Sequence, residues 1–155
     1  MTRLLGVDLG TRRIGLAIGD TETGSVRPLT TISRRSDERD GRTIATIVDE
    51  QGVDELVIGL PLNMDGTEGA QAESTREWAA AVSELCGMPL AWRDERLTTE
   101  DAIARVGRPS RGRSGGPPSP SARRSHKARL DRVAAAAIVQ SELDARLARA
   151  NGERE

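Results

Sequence analysis

"GVDLGTRRIGLAIGD", residues 6–20, sets an aspartate, Asp8, in the middle of an apolar run made of Leu4, Leu5, Val7 and Leu9. Strand alternation places Leu4 and Gly6 on the face of Asp8, and Leu5, Val7 and Leu9 on the other. An ionised carboxylate in a sheet interior is costly unless something compensates it. Residues 3–9 and 14–20 read as two strands, and the link between them is short enough for a hairpin.

Working outward, residues 25–33 read as a third strand, confined to an edge by Pro28. Residues 37–51 form a helical pattern, with Ile44, Ile47, Val48 and Gln51 on one face, acids leading and Gly52 as the stop. A short buried strand follows at 54–59. The loop 60–69, "LPLNMDGTEG", is turn chemistry throughout. Thr75, Trp78, Val82 and Leu85 stripe a second helix over 70–86. Residues 89–93 are a strand, followed by "DERLTT". A short helix is expected at 99–106, a mobile Gly/Pro/Ser/Arg loop at 107–125, and an Ala- and Leu-rich helix from about His126 to Ala148. The expected organisation is one domain over 1–149 with a frayed tail at 150–155. Three meandering strands followed by alternating helix and strand give an α/β fold: a mixed five-stranded sheet with helices on both faces.

The 155 residues suffice for one hydrophobic core. The chain has no Phe or Tyr, so stacking of bases on exposed aromatics is disfavoured. Trp78 and Trp92 fit core positions. Cys86 is the only cysteine, which excludes an internal disulfide and a Cys-based zinc site and fits a reducing compartment. No long apolar run or leader pattern is expected, so the reading is a cytoplasmic protein with no membrane role.

Asp94 and Glu95 directly follow the last strand. Asp131, in "RLDRVAAAAIVQ", shares a helix face with Ala134, Ala135 and Ile138; it reads either as an inward-facing acid or as the N-cap of that helix. Asp8, an acid of the Asp94–Glu95 pair and Asp131 can therefore meet at one end of the sheet. Such a cluster repels itself, and a hard divalent cation, Mg²⁺ or Mn²⁺, is the natural compensation. A two-metal site of this kind clamps an in-line displacement at phosphorus. Singly, Asp8 also reads as the partner of an arginine.

"GVDLGTRRIGLAIGD", "LVIGLPLNMDGTEG", "RDERLTT" and "HKARLDRVAAAAIVQ" together resemble the YqgF family of pre-16S ribosomal RNA nucleases and Holliday-junction resolvases. The resemblance covers nearly the whole chain outside 107–125. It implies an RNase H-like fold and metal-dependent phosphodiester hydrolysis, with Asp8, Glu95 and Asp131 as catalytic and metal-binding acids. Either acid of "DER" can face the metal on alternation alone. The resemblance also implies maturation of the 5′ end of the 16S rRNA precursor, or a branched-DNA substrate.

Substrate-binding candidates come from the surrounding segments. The 60–69 loop runs from a strand into a helix start and reads as a phosphate seat, with Asn63 and Thr67 adding hydrogen bonds, or as a tight turn with a cap. Thr11 lies in the first hairpin turn. Arg96 either grips a phosphate bidentately or neutralises Asp94. Residues 102–130 hold eight Arg or Lys residues and no acid, so the rest of the chain is acidic. Arg123, Arg124 and Lys127 in this segment are candidates to track a nucleic-acid backbone, or solvated charges. His126 reads as a bystander at a helix start. The expected partners are nucleic acid, with an RNA precursor favoured over branched DNA, and the ribosome. No heptad seam or apolar surface helix predicts the strong dimer a junction resolvase needs, so the expected state is a monomer or weak dimer. The "VDLGT" hairpin also opens sugar-kinase-like ATPases, but 155 residues supply only one lobe of such an enzyme. A non-catalytic RNA-binding factor is the other rival.

Overall fold

The computed structural model describes residues 2–97 and 115–153. The strands are β1 (Arg3–Leu9), β2 (Arg13–Asp20), β3 (Val26–Ser33), β4 (Glu55–Leu60) and β5 (Leu90–Asp94), and the helices are α1 (Asp37–Gln51), α2 (Ala70–Cys86) and α3 (Pro120–Glu153). A single 3₁₀ turn, Glu95–Leu97, follows β5. The sheet order is β3-β2-β1-β4-β5. The first three strands pair antiparallel, and β1–β4 and β4–β5 pair parallel. This is the expected mixed sheet.

Alternation along β1 sorts two cores. Leu5, Val7 and Leu9 join Ile14, Leu16 and Ile18 of β2 beneath α1 and α2, with Trp78 and Val82. Leu4 faces the opposite side, where Ala135, Ala136, Ile138 and Val139 of α3 cover it. Small residues let α3 lie almost on the sheet backbone. A Cβ on Gly15 would stand 2.0 Å from the Asp131 carbonyl oxygen, and one on Gly6 would stand 2.7 Å from that of Ala135. Both are far inside contact distance, so helix position depends on those glycines.

Local signals account for the element ends. Ser36 caps α1 by accepting from the Arg39 amide at 3.2 Å. Gly52 (φ 65°) and Gly87 (φ 66°) close α1 and α2 in the left-handed conformation. Pro28 sits in β3, which among the described residues is an edge strand beside β2 and shows a register shift opposite Leu16 and Ala17. Leu85, expected in the core stripe of α2, is 49% exposed. Its side chain lies along Gly41 of α1 at the rim of the α1–α2 contact.

The last helix is longer than expected at both ends. Ser119 accepts from the Ala122 amide at 3.1 Å and is the N-cap, with Pro120 in the first helical position. Residues 120–125 are therefore helix rather than loop, and Asp131 lies well inside α3 rather than capping it. At the other end, residues 150–153 continue the helix instead of fraying. His126 is buried within α3 at 7% exposure, not a surface bystander. The helix expected at 99–106 and loop residues 107–114 lie outside the described residues. Among the described residues no helix is long and apolar enough to cross a membrane.

Candidate active site

Asp8 lies opposite Gly15 of β2 and, by alternation, on the α3 face of β1. α3 crosses Gly15 at Asp131. On the other side of β1, Gly59 of β4 pairs with Arg93 of β5. The chain leaving β5 turns back through the 3₁₀ turn, so that Glu95 packs over Gly59: a Cβ there would lie 3.5 Å from Glu95 Cγ. Two glycines thus make room for two further acids, one on each side of Asp8.

Asp8 and Glu95 share a side-chain hydrogen bond. Burial first, then that bond and the charges of Asp8 and Asp131, push the Glu95 carboxyl up to about 10. Burial also raises Asp8, with Glu95 opposing and the Asp131 charge adding. Glu95 therefore holds a proton at neutral pH and donates it to the Asp8 carboxylate. Asp131 is compensated differently. Arg13 Nε donates to its Oδ2 at 2.8 Å, across a half-buried contact.

Among the described residues, the buried acids Asp40 and Glu142 are met by donors from other residues. Asp40, 2% exposed, accepts from the Arg35 amide at 2.9 Å and from Trp78 Nε1 at 3.1 Å. Glu142, 5% exposed, accepts from Arg146 Nε at 3.0 Å and faces Arg93 at 3.7 Å. Those are structural carboxylates. In the Asp8–Glu95 pair, by contrast, each carboxyl answers the other.

Asp94 is distinguished from its neighbour by Arg96. Arg96 grips the Asp94 carboxylate through Nε at 3.1 and 3.2 Å and Nη2 at 2.7 Å. This bonding, with the Arg96 amide, holds Asp94 below the usual carboxylate range. Arg96 Nη1 also donates to the carbonyls of Asn63 and Met64 at 3.2 and 3.0 Å. Arg96 therefore neutralises Asp94 and ties down the 60–69 loop. Of the two acids, Glu95 is the one beside Asp8.

That loop is a closed turn. Thr67 donates its amide (3.0 Å) and hydroxyl (2.6 Å) to Asp65 Oδ1, and Asn63 Nδ2 donates to Thr67 Oγ1 at 3.0 Å. The Thr67 bonds hold Asp65 low. The side chains of Asn63 and Thr67 thus serve the turn, and of the acids near the start of α2, Glu68 pairs with Arg76 and Asp65 lies in the field of Arg96. Thr11 is exposed in the β1–β2 turn, which Gly10 N and Arg13 O close at 2.8 Å. Arg123, Arg124 and Lys127 are exposed on the first turns of α3. Arg124 stands seven residues before Asp131, about 10 Å along the axis. Thr31 fixes this end of the helix by donating to the Ala128 carbonyl at 2.6 Å.

Two residues escaped the reading of the sequence, Arg13 and Asp40, while His126 was read as a bystander and proves to be buried. Arg13 had a usable signal, since alternation places it on the same face of β2 as Gly15. Among the described residues, no three His, Cys, Asp or Glu side chains are grouped as a ready metal cage. The donor chemistry nonetheless fits a hard cation. All three acids offer carboxylate oxygens, and positive charge already stands at both places, as the Glu95 proton and the Arg13 guanidinium.

The sequence profile of the RuvX family, described as a Holliday junction resolvase, matches residues 2–145. The chain is 41% identical over 144 residues to a protein of Anaeromyxobacter sp. (strain Fw109-5), covering 93% of this chain and 98% of that one. It is 40% identical over 144 residues to a protein of Paramagnetospirillum magneticum (strain AMB-1), covering 93% and 86%. Both relatives carry the name "Putative pre-16S rRNA nuclease". Among solved structures, RuvC of T. thermophilus in complex with a Holliday junction substrate aligns with a TM-score of 0.57 at 14% identity, covering 96% of this chain and 97% of that one. This last likeness is one of fold, and the fold is that of the RNase H-like resolvases.

Proposed function

The chain belongs to the RuvX family, and on that footing we propose that it is a metal-dependent nuclease processing the 5′ end of the 16S rRNA precursor. The observation that carries this reading is the Asp8–Glu95 carboxyl pair, with Asp131 beside it across Gly15. Asp8, Glu95 and Asp131 would hold Mg²⁺ or Mn²⁺. Such a cation supplies activation of water and stabilisation of the leaving oxygen at phosphorus. The chain's own residues do the rest. β1 and α3 fix Asp8 and Asp131 on backbone that glycines hold close together. Glu95 releases its proton when positive charge arrives. Arg123, Arg124 and Lys127 draw the polyanionic backbone toward the acids, and Thr11 lines the approach. Asn63, Thr67 and Arg96 contribute by keeping the neighbouring loop in shape. Residues 1–149 act as one domain, in the cytoplasm, on RNA that the ribosome or its precursor presents.

A second reading, cleavage of branched DNA, is favoured by the family description and by the RuvC-like fold. Symmetric resolution needs two sites about one junction. Among the described residues, the exposed large apolar side chains are Met64, Leu85 and Leu147. They lie on the 60–69 loop, α2 and α3, which supports a monomer or weak dimer and hence the RNA reading.

A cleavage panel separates the readings. Wild type and Asp8→Asn are compared with Mn²⁺ and with EDTA, on single-stranded RNA spanning a 16S precursor 5′ end and on a four-way DNA junction. Metal- and Asp8-dependent cutting of the RNA alone is the expected result. Symmetric nicking of the junction would establish the second reading. Cutting of neither substrate, alone or on precursor ribosomal particles, would make the chain a binding factor.

A further inference from the structure

We propose that Arg13 is a phosphate-binding residue that holds Asp131 until nucleic acid arrives, then passes to the backbone phosphate and leaves Asp131 free for the cation. This rests on the nuclease reading above.

The Asp131 carbonyl lies directly over Gly15, which seats α3 close to the sheet at this point. Arg13 is a long side chain at the first position of β2, and its side chain is 34% exposed. Of the two partners, Arg13 is the longer and the more exposed, 34% against 23% for Asp131, and so the freer to leave. Its hold on Asp131 is through Nε at 2.8 Å. The grip of Arg96 on Asp94, by contrast, uses both Nε and Nη2. An arginine fork presents up to five donors and suits a phosphate as well as a carboxylate.

The surroundings bring a phosphate to the same place. The Arg34 amide donates to the Arg12 carbonyl at 2.9 Å, and Arg34 Nη1 donates to the Gly10 carbonyl at 3.0 Å. Arg12, Arg13, Arg34 and Arg35 thus form one rim where the β1–β2 turn meets the end of β3, with Arg12 and Arg35 exposed. On the far side of the cluster stand Asp65, Glu68 and Glu73. A polyanion is attracted to the arginine rim, whereas on the far side Arg76 pairs with Glu68 and Arg96 offsets Asp65, so it reaches the acids past Arg13. A guanidinium on Asp131 and a cation on Asp131 exclude each other, so Arg13 opposes metal binding in the free protein. A phosphate that draws Arg13 away removes that opposition, and by linkage metal and nucleic acid favour each other's binding.

Two measurements test this without relying on turnover. The first is titration calorimetry with Mn²⁺ alone on wild type, Arg13→Ala, Arg13→Gln and the double variant Arg13→Ala/Asp131→Asn. Both single variants should bind Mn²⁺ about fivefold more tightly than wild type, the upper range for a surface ion pair because this one is half-buried. The double variant should lose the gain. Unchanged or weaker affinity would mean that Arg13 does not oppose the cation at Asp131, and that result overturns the proposal. The second uses fluorescence anisotropy with a short single-stranded RNA in EDTA. Asp131→Asn should tighten RNA binding more when Arg13 is present than in the Arg13→Ala background, where only the lost negative charge acts. Equal effects in the two backgrounds overturn the transfer of Arg13 to phosphate. Absence of Mn²⁺ binding in every form refutes the metal reading itself, while the EDTA cycle judges Arg13 independently.

Discussion

Replacing Glu95 with glutamine should stabilise the unloaded protein and flatten its dependence on pH. Glu95 in the folded chain holds its proton up to about pH 10, against an ordinary value of 4.5. Below pH 4.5 both folded and unfolded chains are protonated there, and the group contributes nothing. As pH rises above that value, the unfolded chain releases a proton that the folded chain must keep, so stability falls with rising pH. The fall is at most about 1.4 kcal/mol per pH unit, which gives a penalty of the order of 1–3 kcal/mol at pH 7. A glutamine amide donates to Asp8 as the protonated acid does, with no proton to hold. Glu95→Gln should therefore match wild type near pH 4.5 and exceed it by about 1–3 kcal/mol at pH 7. Urea denaturation in EDTA at pH 5, 6, 7 and 8 measures both slopes. A variant less stable than wild type at pH 7, or one with the same pH slope, would refute the shared-proton account of the pair.

Three further substitutions probe the frame around it. Asp94→Asn should leave Mn²⁺ affinity within about threefold of wild type, whereas Glu95→Gln should weaken it by at least about 1.4 kcal/mol, a factor of ten; calorimetry on the two variants compares the adjacent acids directly. Gly15→Ala forces a Cβ to within 2.0 Å of the Asp131 carbonyl, so α3 must lift, and denaturation should report a loss of about 1–3 kcal/mol or more. Trp78→Phe removes the Nε1 donor from buried Asp40 and should cost about 1–3 kcal/mol, with Mn²⁺ binding unaffected because Asp40 lies on the other face of the sheet.

The fold was legible where periodicity and punctuation agreed. Leu4, Gly6 and Asp8 against Leu5, Val7 and Leu9 gave β1 and both of its faces, and the leading acids and Gly52 bracketed α1 at its observed ends. Pro28 marked the edge strand. The start of α3 was missed because Gly, Pro and Ser were weighed as loop composition, although Ser119-Pro120 is a cap followed by a first-turn proline. His126 was misplaced as a consequence, since a helix that starts six residues earlier can bury it. Within the site, Asp8 and Asp131 followed from alternation and helix periodicity. The choice between Asp94 and Glu95 did not, because a 3₁₀ turn replaces strand alternation immediately after Asp94. Arg13 was overlooked because an arginine opening a strand looks like surface charge until the helix above it is placed. The partners of Asn63 and Thr67 were equally hidden: Asp65 lies within the same turn and takes the donors that a phosphate would need.

The central claim is that Asp8, Glu95 and Asp131 form one cation site that a proton and a guanidinium fill in the unloaded protein. Its most direct test is the proton count on metal binding. Mn²⁺ is titrated into wild type at pH 7 by calorimetry in buffers of different ionisation enthalpy, and the slope of heat against that enthalpy gives the protons released. The account predicts release of about one proton per protein molecule, falling to none in Glu95→Gln at the higher metal needed to load it. Binding without proton release in wild type, or no binding at millimolar Mn²⁺ in wild type and in Arg13→Ala alike, would contradict it.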